Sequence, residues 1–127
     1  MSRVHAYAPL LLRIAIALTF IPPGGMKLFH WFGGMPPGVT LTPLLWTAGA
    51  IEIVGGALVV LGLFTRPVAF LCSGEMAVAY FLSHASQGFW PALNQGDAAI
   101  LFCFVFFYLV FAGAGPWSLD TLVRRRP

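Results

Sequence analysis

The stretch Pro43 to Leu63, PLLWTAGAIEIVGGALVVLGL, decides how the rest of the chain is read. A helix over it rises about 31 Å, roughly the hydrocarbon thickness of a bilayer. One ionisable residue, Glu52, lies near its middle. A carboxylate at that depth costs a few kcal/mol, so it must be protonated, paired or wet. Gly49, Gly55 and Gly56 surround it, small residues that let a neighbouring helix come close.

The composition agrees with a membrane span. The chain has 127 residues, 59% of them hydrophobic and 9% charged. Its mean hydropathy is +0.87. Twelve Phe and four Trp stand against seven Lys+Arg and four Asp+Glu, too little charge to cover a water-facing surface. The formal charge of +3 gives no case for nucleic acid, because the cations flank apolar runs. These features predict a single-domain integral membrane protein. The N-terminus is read as a retained helix, since Arg13 interrupts the apolar run and no small-x-small site precedes Pro22-Pro23.

Four spans are predicted, over about 8–28, 43–63, 68–86 and 97–114. Pro22 and Pro23 remove two backbone donors and predict a kink or break before Gly24-Gly25. Arg13 is expected to snorkel to one interface and Lys27 to the other. Trp31 and Phe32 open a Gly- and Pro-rich loop as interfacial anchors, and Thr65-Arg66-Pro67 makes a short turn. Short loops then imply an all-α, four-transmembrane-helix bundle with both termini on one side. Arg3, Arg13, Arg66 and Arg124 to Arg126 share that side and only Lys27 lies opposite, so both termini are predicted to be cytoplasmic in a cell (inner) membrane. Cys72 and Cys103 form no C-x-x-C, and counted depths leave about 15 Å between them, too far for a disulfide.

Three stretches make the chain resemble the DoxX-like membrane proteins. Gly24-Gly25-Met26-Lys27-Leu28-Phe29 is similar to the family's G-x-x-K-L-F pattern after the first helix. Ala50-Ile51-Glu52-Ile53-Val54-Gly55-Gly56, continued by Gly62-Leu63-Phe64-Thr65-Arg66, resembles its E-x-x-G-G…L-G-L-x-T-R helix. His84 with Gly88-Phe89-Trp90, and Gly115-Pro116-Trp117-Ser118-Leu119-Asp120, complete it. The resemblance spans nearly the whole chain and implies a four-helix membrane fold. Through a subunit of a membrane thiosulfate:quinone oxidoreductase it also implies association with redox complexes. Two positions depart from the pattern. Pro23 stands where members often carry a His four residues before the Lys, and Asp97 stands where many have a Glu.

The candidate ligand-binding residues are Glu52, His84, Lys27, Asp97, His30 and Glu75. Glu52 is the first of them, set against a plain interhelical hydrogen bond. Glu75 enters from the opposite side, and counted depths bring it within about 5 Å of the height of Glu52, where the two can share a cavity. The resemblance does not supply Glu75. His84 lies nine residues after Glu75, about 180° away on a straight helix, on a stripe with Ser73, Ala77 and Tyr80. Its structural alternative is an interfacial side chain bonded to a loop carbonyl. Asp97 after Gly96 reads as a helix N-cap, and Ser118 as the cap of a short terminal helix. Asp120 is expected to pair with Arg66 or Arg13, and Arg124 to Arg126 to fix topology and meet anionic lipid.

His30, His84, Glu52 and Asp97 have no metal-ligand spacing along one helix, and no metal site is expected. No phosphate loop, haem motif or Ser-His-Asp signature is present, so the chain reads as an accessory subunit rather than an enzyme alone. The leading expectation is a redox-associated subunit binding a quinone or other apolar small molecule in an outward-opening pocket, with Glu52 at its floor and Lys27 and His84 nearer its mouth. The alternatives are a non-catalytic assembly subunit for a partner membrane or redox protein, a homo-oligomer included, and a small proton-coupled transporter. The essential Glu of small transporters lies in the first helix, and here that helix has none.

Overall fold

The computed structural model describes residues 3–84, 88–91 and 96–124. Within them the fold is all-helical: α1 (Arg3–Phe29), a 3-10 turn (Trp31–Gly33), α2 (Pro43–Leu61), α3 (Thr65–Ala79) continued by a π-helical turn (Tyr80–His84), α4 (Asp97–Ala112) and α5 (Leu119–Arg124). The helices α1 and α2 are long and apolar enough to cross a membrane, and α4 is apolar but shorter. Large apolar side chains point outward on every long element: Leu18, Val54, Phe70, Phe81, Phe104 and Phe111 are all more than half exposed. Such a surface suits lipid and not water.

The helices pack as two pairs, α1 along α2 and α3 along α4. Small residues set the first pair. A Cβ on Gly24 would lie 2.7 Å from the Gly49 carbonyl oxygen and 2.9 Å from Glu52 Cβ, so the α1 and α2 backbones touch there. Aromatic rings join the pairs. Phe20 of α1 meets Phe106 of α4 edge-on at 4.7 Å and Phe102 at 5.3 Å. Ile16, Val59, Cys72, Met76 and Leu109 complete the buried core around them.

Of the kink or break expected at Pro22-Pro23, there is no break: α1 runs through both to Phe29. The contacts that follow hold it. Gly24 seats against α2, and the Trp31 ring covers Gly25, where a Cβ would come within 1.8 Å of it. The turn after α2 is tighter than predicted. Gly62 adopts φ 69°, and the Gly62 and Leu63 N–H groups donate to the carbonyls of Val59 and Leu58, closing a Schellman motif. Thr65-Arg66-Pro67, expected as a loop, is the first turn of α3. Pro67 is tolerated there because first-turn N–H groups have no intrahelical partner. At the other end, α4 stops at Ala112, two residues before the predicted end. The predicted end of the third span at Ser86, and half of the loop after it, lie outside the described residues.

Arg13 does not snorkel. It is fully buried, and its guanidinium donates to the carbonyls of Val59 (3.2 Å), Val60 (2.9 Å) and Trp117. The C-terminus of α2 presents unpaired carbonyls and negative dipole charge, which a planar five-donor cation can satisfy. Asp120 supplies a further negative charge nearby. Its carboxylate pairs with neither Arg66 nor Arg13 but caps α3, accepting the N–H of Phe64 (2.7 Å) and Thr65 (3.0 Å). Ser118 does cap α5, its Oγ accepting the Thr121 N–H at 3.2 Å.

Candidate functional site

Lys27 reaches from the end of α1 to Glu52 at the middle of α2. Its ammonium donates to both carboxylate oxygens, at 2.8 and 3.1 Å. The spacing follows from the helix contact just described. The two helices run antiparallel, with Gly49 beside Lys27 Cβ and Gly24 beside Glu52 Cβ, so the long Lys27 side chain reaches back about one helical turn to Glu52. Glu52 is 2% exposed, and this pair satisfies it where water does not reach. Lys27 therefore stands at the floor beside Glu52 and not nearer the mouth, as the sequence had suggested.

Glu75 approaches from α3. It lines the same cavity as Glu52, and its Oε1 is buried with no hydrogen-bond partner. Two carboxyls and one ammonium leave one negative charge unmatched unless a proton or an external donor supplies the balance. Cys72 Sγ lies beneath them against Gly55, and Ser73 turns to the other side, donating to the Cys103 carbonyl at 2.7 Å.

Above these three residues is a cavity of about 670 Å³. Lys27, Glu52 and Glu75 supply its polar end. Phe20, Leu45, Ile51, Met76, Ala79 and Phe102 are among its apolar walls, drawn from all four long helices. His84 also lines it and stacks on Tyr80 at 6.4 Å between ring centroids. The π-helical turn Tyr80–His84 brings this about: it rephases the end of the helix, so Glu75 and His84 face one cavity.

Two candidates stand apart from it. His30 is exposed in a left-handed conformation (φ 58°), with Nδ1 folded towards Gly34. Asp97 is exposed and is the first residue of α4, while Gly96 occupies the capping position. Among the described residues no three His, Cys, Asp or Glu side chains converge as metal ligands would. Both cysteines are free. The Ser73–Cys103 contact nevertheless puts them at neighbouring heights. Counting along ideal vertical helices had separated them. They are unbridged because Cys72 faces α2 while Cys103 lies beside Ser73.

The sequence model of the DoxX family matches residues 8–85, the segment that carries Lys27, Glu52, Glu75 and His84. The chain belongs to the DoxX family. It is 44% identical over 128 residues to an uncharacterized protein of Haemophilus influenzae, covering 94% of this chain and 96% of that one. It is 27% identical over 143 residues to an uncharacterized membrane protein of Mycobacterium tuberculosis, covering 97% of this chain and 87% of that one. No solved structure matches. This DoxX protein is thus a membrane protein whose buried ion pair and facing carboxyl lie within the family's own segment.

Proposed function

We propose that this DoxX protein is a redox-associated membrane subunit that binds a quinone-like molecule, or another apolar molecule with one hydrogen-bonding head, inside its helices. One observation carries the reading. The buried, unpartnered Oε1 of Glu75 lines a mostly apolar cavity together with the Lys27–Glu52 pair. The cavity volume falls in the range of small-molecule sites, which are mostly apolar with a few placed polar groups. A head with a carbonyl takes a hydrogen bond from Lys27, and a hydroxyl gives one to Glu75; a quinone–quinol pair offers both. Redox association follows from the family resemblance, and the chain's own residues supply no electron carrier for it.

The test is extraction and titration. Protein purified in mild detergent should release a quinone into organic solvent, and after delipidation should bind an added benzoquinone saturably. Glu52→Gln should keep the fold and weaken that binding by about tenfold, the loss of one charge-assisted hydrogen-bond system. Absence of extractable quinone together with no saturable binding would defeat the proposal.

A further inference from the structure

The cavity is not closed on all sides, and where it opens limits what can enter. Near their shared turn, α2 and α3 are in contact: a Cβ on Gly55 would lie 2.6 Å from Cys72 Sγ and 3.7 Å from Val68 Cγ1. Beside Glu52 and Glu75 the cavity reaches the outer face of the protein. Thr47 of α2, and Leu71, Gly74 and Val78 of α3, line the cavity and are also exposed on the outer face of the protein. Side chains that do both mark a slot through the wall. Gly74 is its clearest element, because an added Cβ there would meet no atom within 4 Å. The slot is flanked by Leu44 and Phe70, both more than half exposed and both apolar. A gap with such edges, at the level of the ion pair, suits hydrocarbon; Leu82, Ser83 and Ala98 also line the cavity and are exposed, towards its His84 end.

Resting on the proposed reading of the site, we infer that the ligand is a bilayer-dissolved amphiphile that enters sideways between α2 and α3. Its polar head stops at Lys27, Glu52 and Glu75, and its apolar tail leaves through the slot at Gly74 into the lipid. The geometry favours this over a compact water-borne molecule for two reasons. The charged groups Lys27, Glu52 and Glu75 lie together, and the rest of the lining is mostly apolar, with Thr47, Ser83 and His84 its polar exceptions, so an occupant needs one strongly polar end. The slot also frees the tail from the volume limit of the cavity, because the part of the ligand beyond Gly74 lies in lipid.

Two ligands and two variants test it, with the protein in lipid nanodiscs: a benzoquinone bearing an alkyl tail and the same head without the tail. Bound fractions are referred to the amount of each ligand dissolved in the bilayer. Glu52→Gln should weaken both ligands alike, because it alters the head site. Gly74→Trp places bulk in the slot; it should weaken the tailed ligand by about tenfold or more, because the head cannot seat while the tail clashes with the indole, and the tailless one by no more than about twofold. Equal weakening of both by Gly74→Trp, or of neither, would overturn lateral tail exit while leaving the site itself in place. Binding of neither ligand to the wild-type protein would overturn the proposed function, and lateral entry with it. A second measurement needs no variant. A photoreactive group near the head end of the tail should label wild-type protein at Leu71, Gly74 or Val78, and labelling confined to the 30–42 loop would contradict the route.

Discussion

Arg13 and Lys27 are the two cations of α1 whose surroundings the structure defines, and they serve opposite ends of the molecule. Arg13 closes the carbonyl end of α2 and ties it to Trp117, so it acts as a structural cap. Arg13→Leu should lower stability by about 3 kcal/mol or more, seen as a lower melting temperature in detergent. Arg13→Lys should recover little of it, since an ammonium lacks the planar fork that spans three carbonyls. Lys27 instead balances charge. Lys27→Met leaves Glu52 buried and uncompensated and should cost about 3–5 kcal/mol, whereas Lys27→Met with Glu52→Gln should cost much less than the single change. Equal losses in the single and double variants would show that the pair does not act as one unit. Asp120, in α5 outside the predicted spans, adds a pH-dependent element. Burial tends to raise its carboxyl, but the Thr65 and Phe64 N–H groups and nearby Arg124 outweigh that and hold it below the usual carboxylate range. A folded value below the unfolded one stabilises above about pH 4 and is lost as the pH falls through the folded value. Asp120→Asn should therefore cost about 1 kcal/mol at neutral pH, and the melting curves of variant and wild type should converge in acid.

Glycine positions decide how the elements meet, and two of them predict opposite outcomes. Gly24→Val drives a side chain into the Gly49 carbonyl and Glu52, and should cost about 1–3 kcal/mol while loosening the Lys27–Glu52 pair. Gly74→Ala meets nothing and should be neutral or slightly stabilising, because alanine is the better helix former. Thermal melts of the two variants side by side check both. The α1–α2 element pair was partly legible in the sequence: Gly49, Gly55 and Gly56 around the central Glu52 pointed to a close helix neighbour at a polar centre. Three features were not legible. The π-helical turn reduces the angle between Glu75 and His84 from about 180° to about 80°, because nine residues then turn no further than eight would. No residue type in Tyr80 to His84 signals it. The reach of Lys27 inward, and not to the interface, depends on tertiary contact at Gly24. The burial of Arg13 depends on Trp117, more than a hundred residues away in sequence, and no local pattern reports that.

At the scale of the whole molecule, the structure gathers Arg13, Arg66 and Asp120 around Gly62, Phe64 and Gly113, at one end of the helices, with Lys27 and the cavity towards the other. Read with the positive-inside rule, that polarity predicts four passes with the Arg-rich end and both termini in the cytoplasm. A reporter active only outside the cell membrane should work when fused after Pro37 or Leu93 and fail after Arg66 or Pro127. The reverse pattern would invert the molecule, and activity after both Pro37 and Arg66 would remove a pass. On that prediction the cavity lies in the outer half of the bilayer, where the proposed route opens it sideways to lipid. All of this rests on the cavity being the binding site, and a cryo-electron microscopy map of the protein in a lipid nanodisc with added benzoquinone tests that most directly. Density for the ring should lie within hydrogen-bond distance of Glu75 and the Lys27–Glu52 pair, beneath Phe102 and Ala79. A cavity filled by the protein's own side chains, with Glu75 bonded elsewhere and the ring absent from the interior, would contradict it.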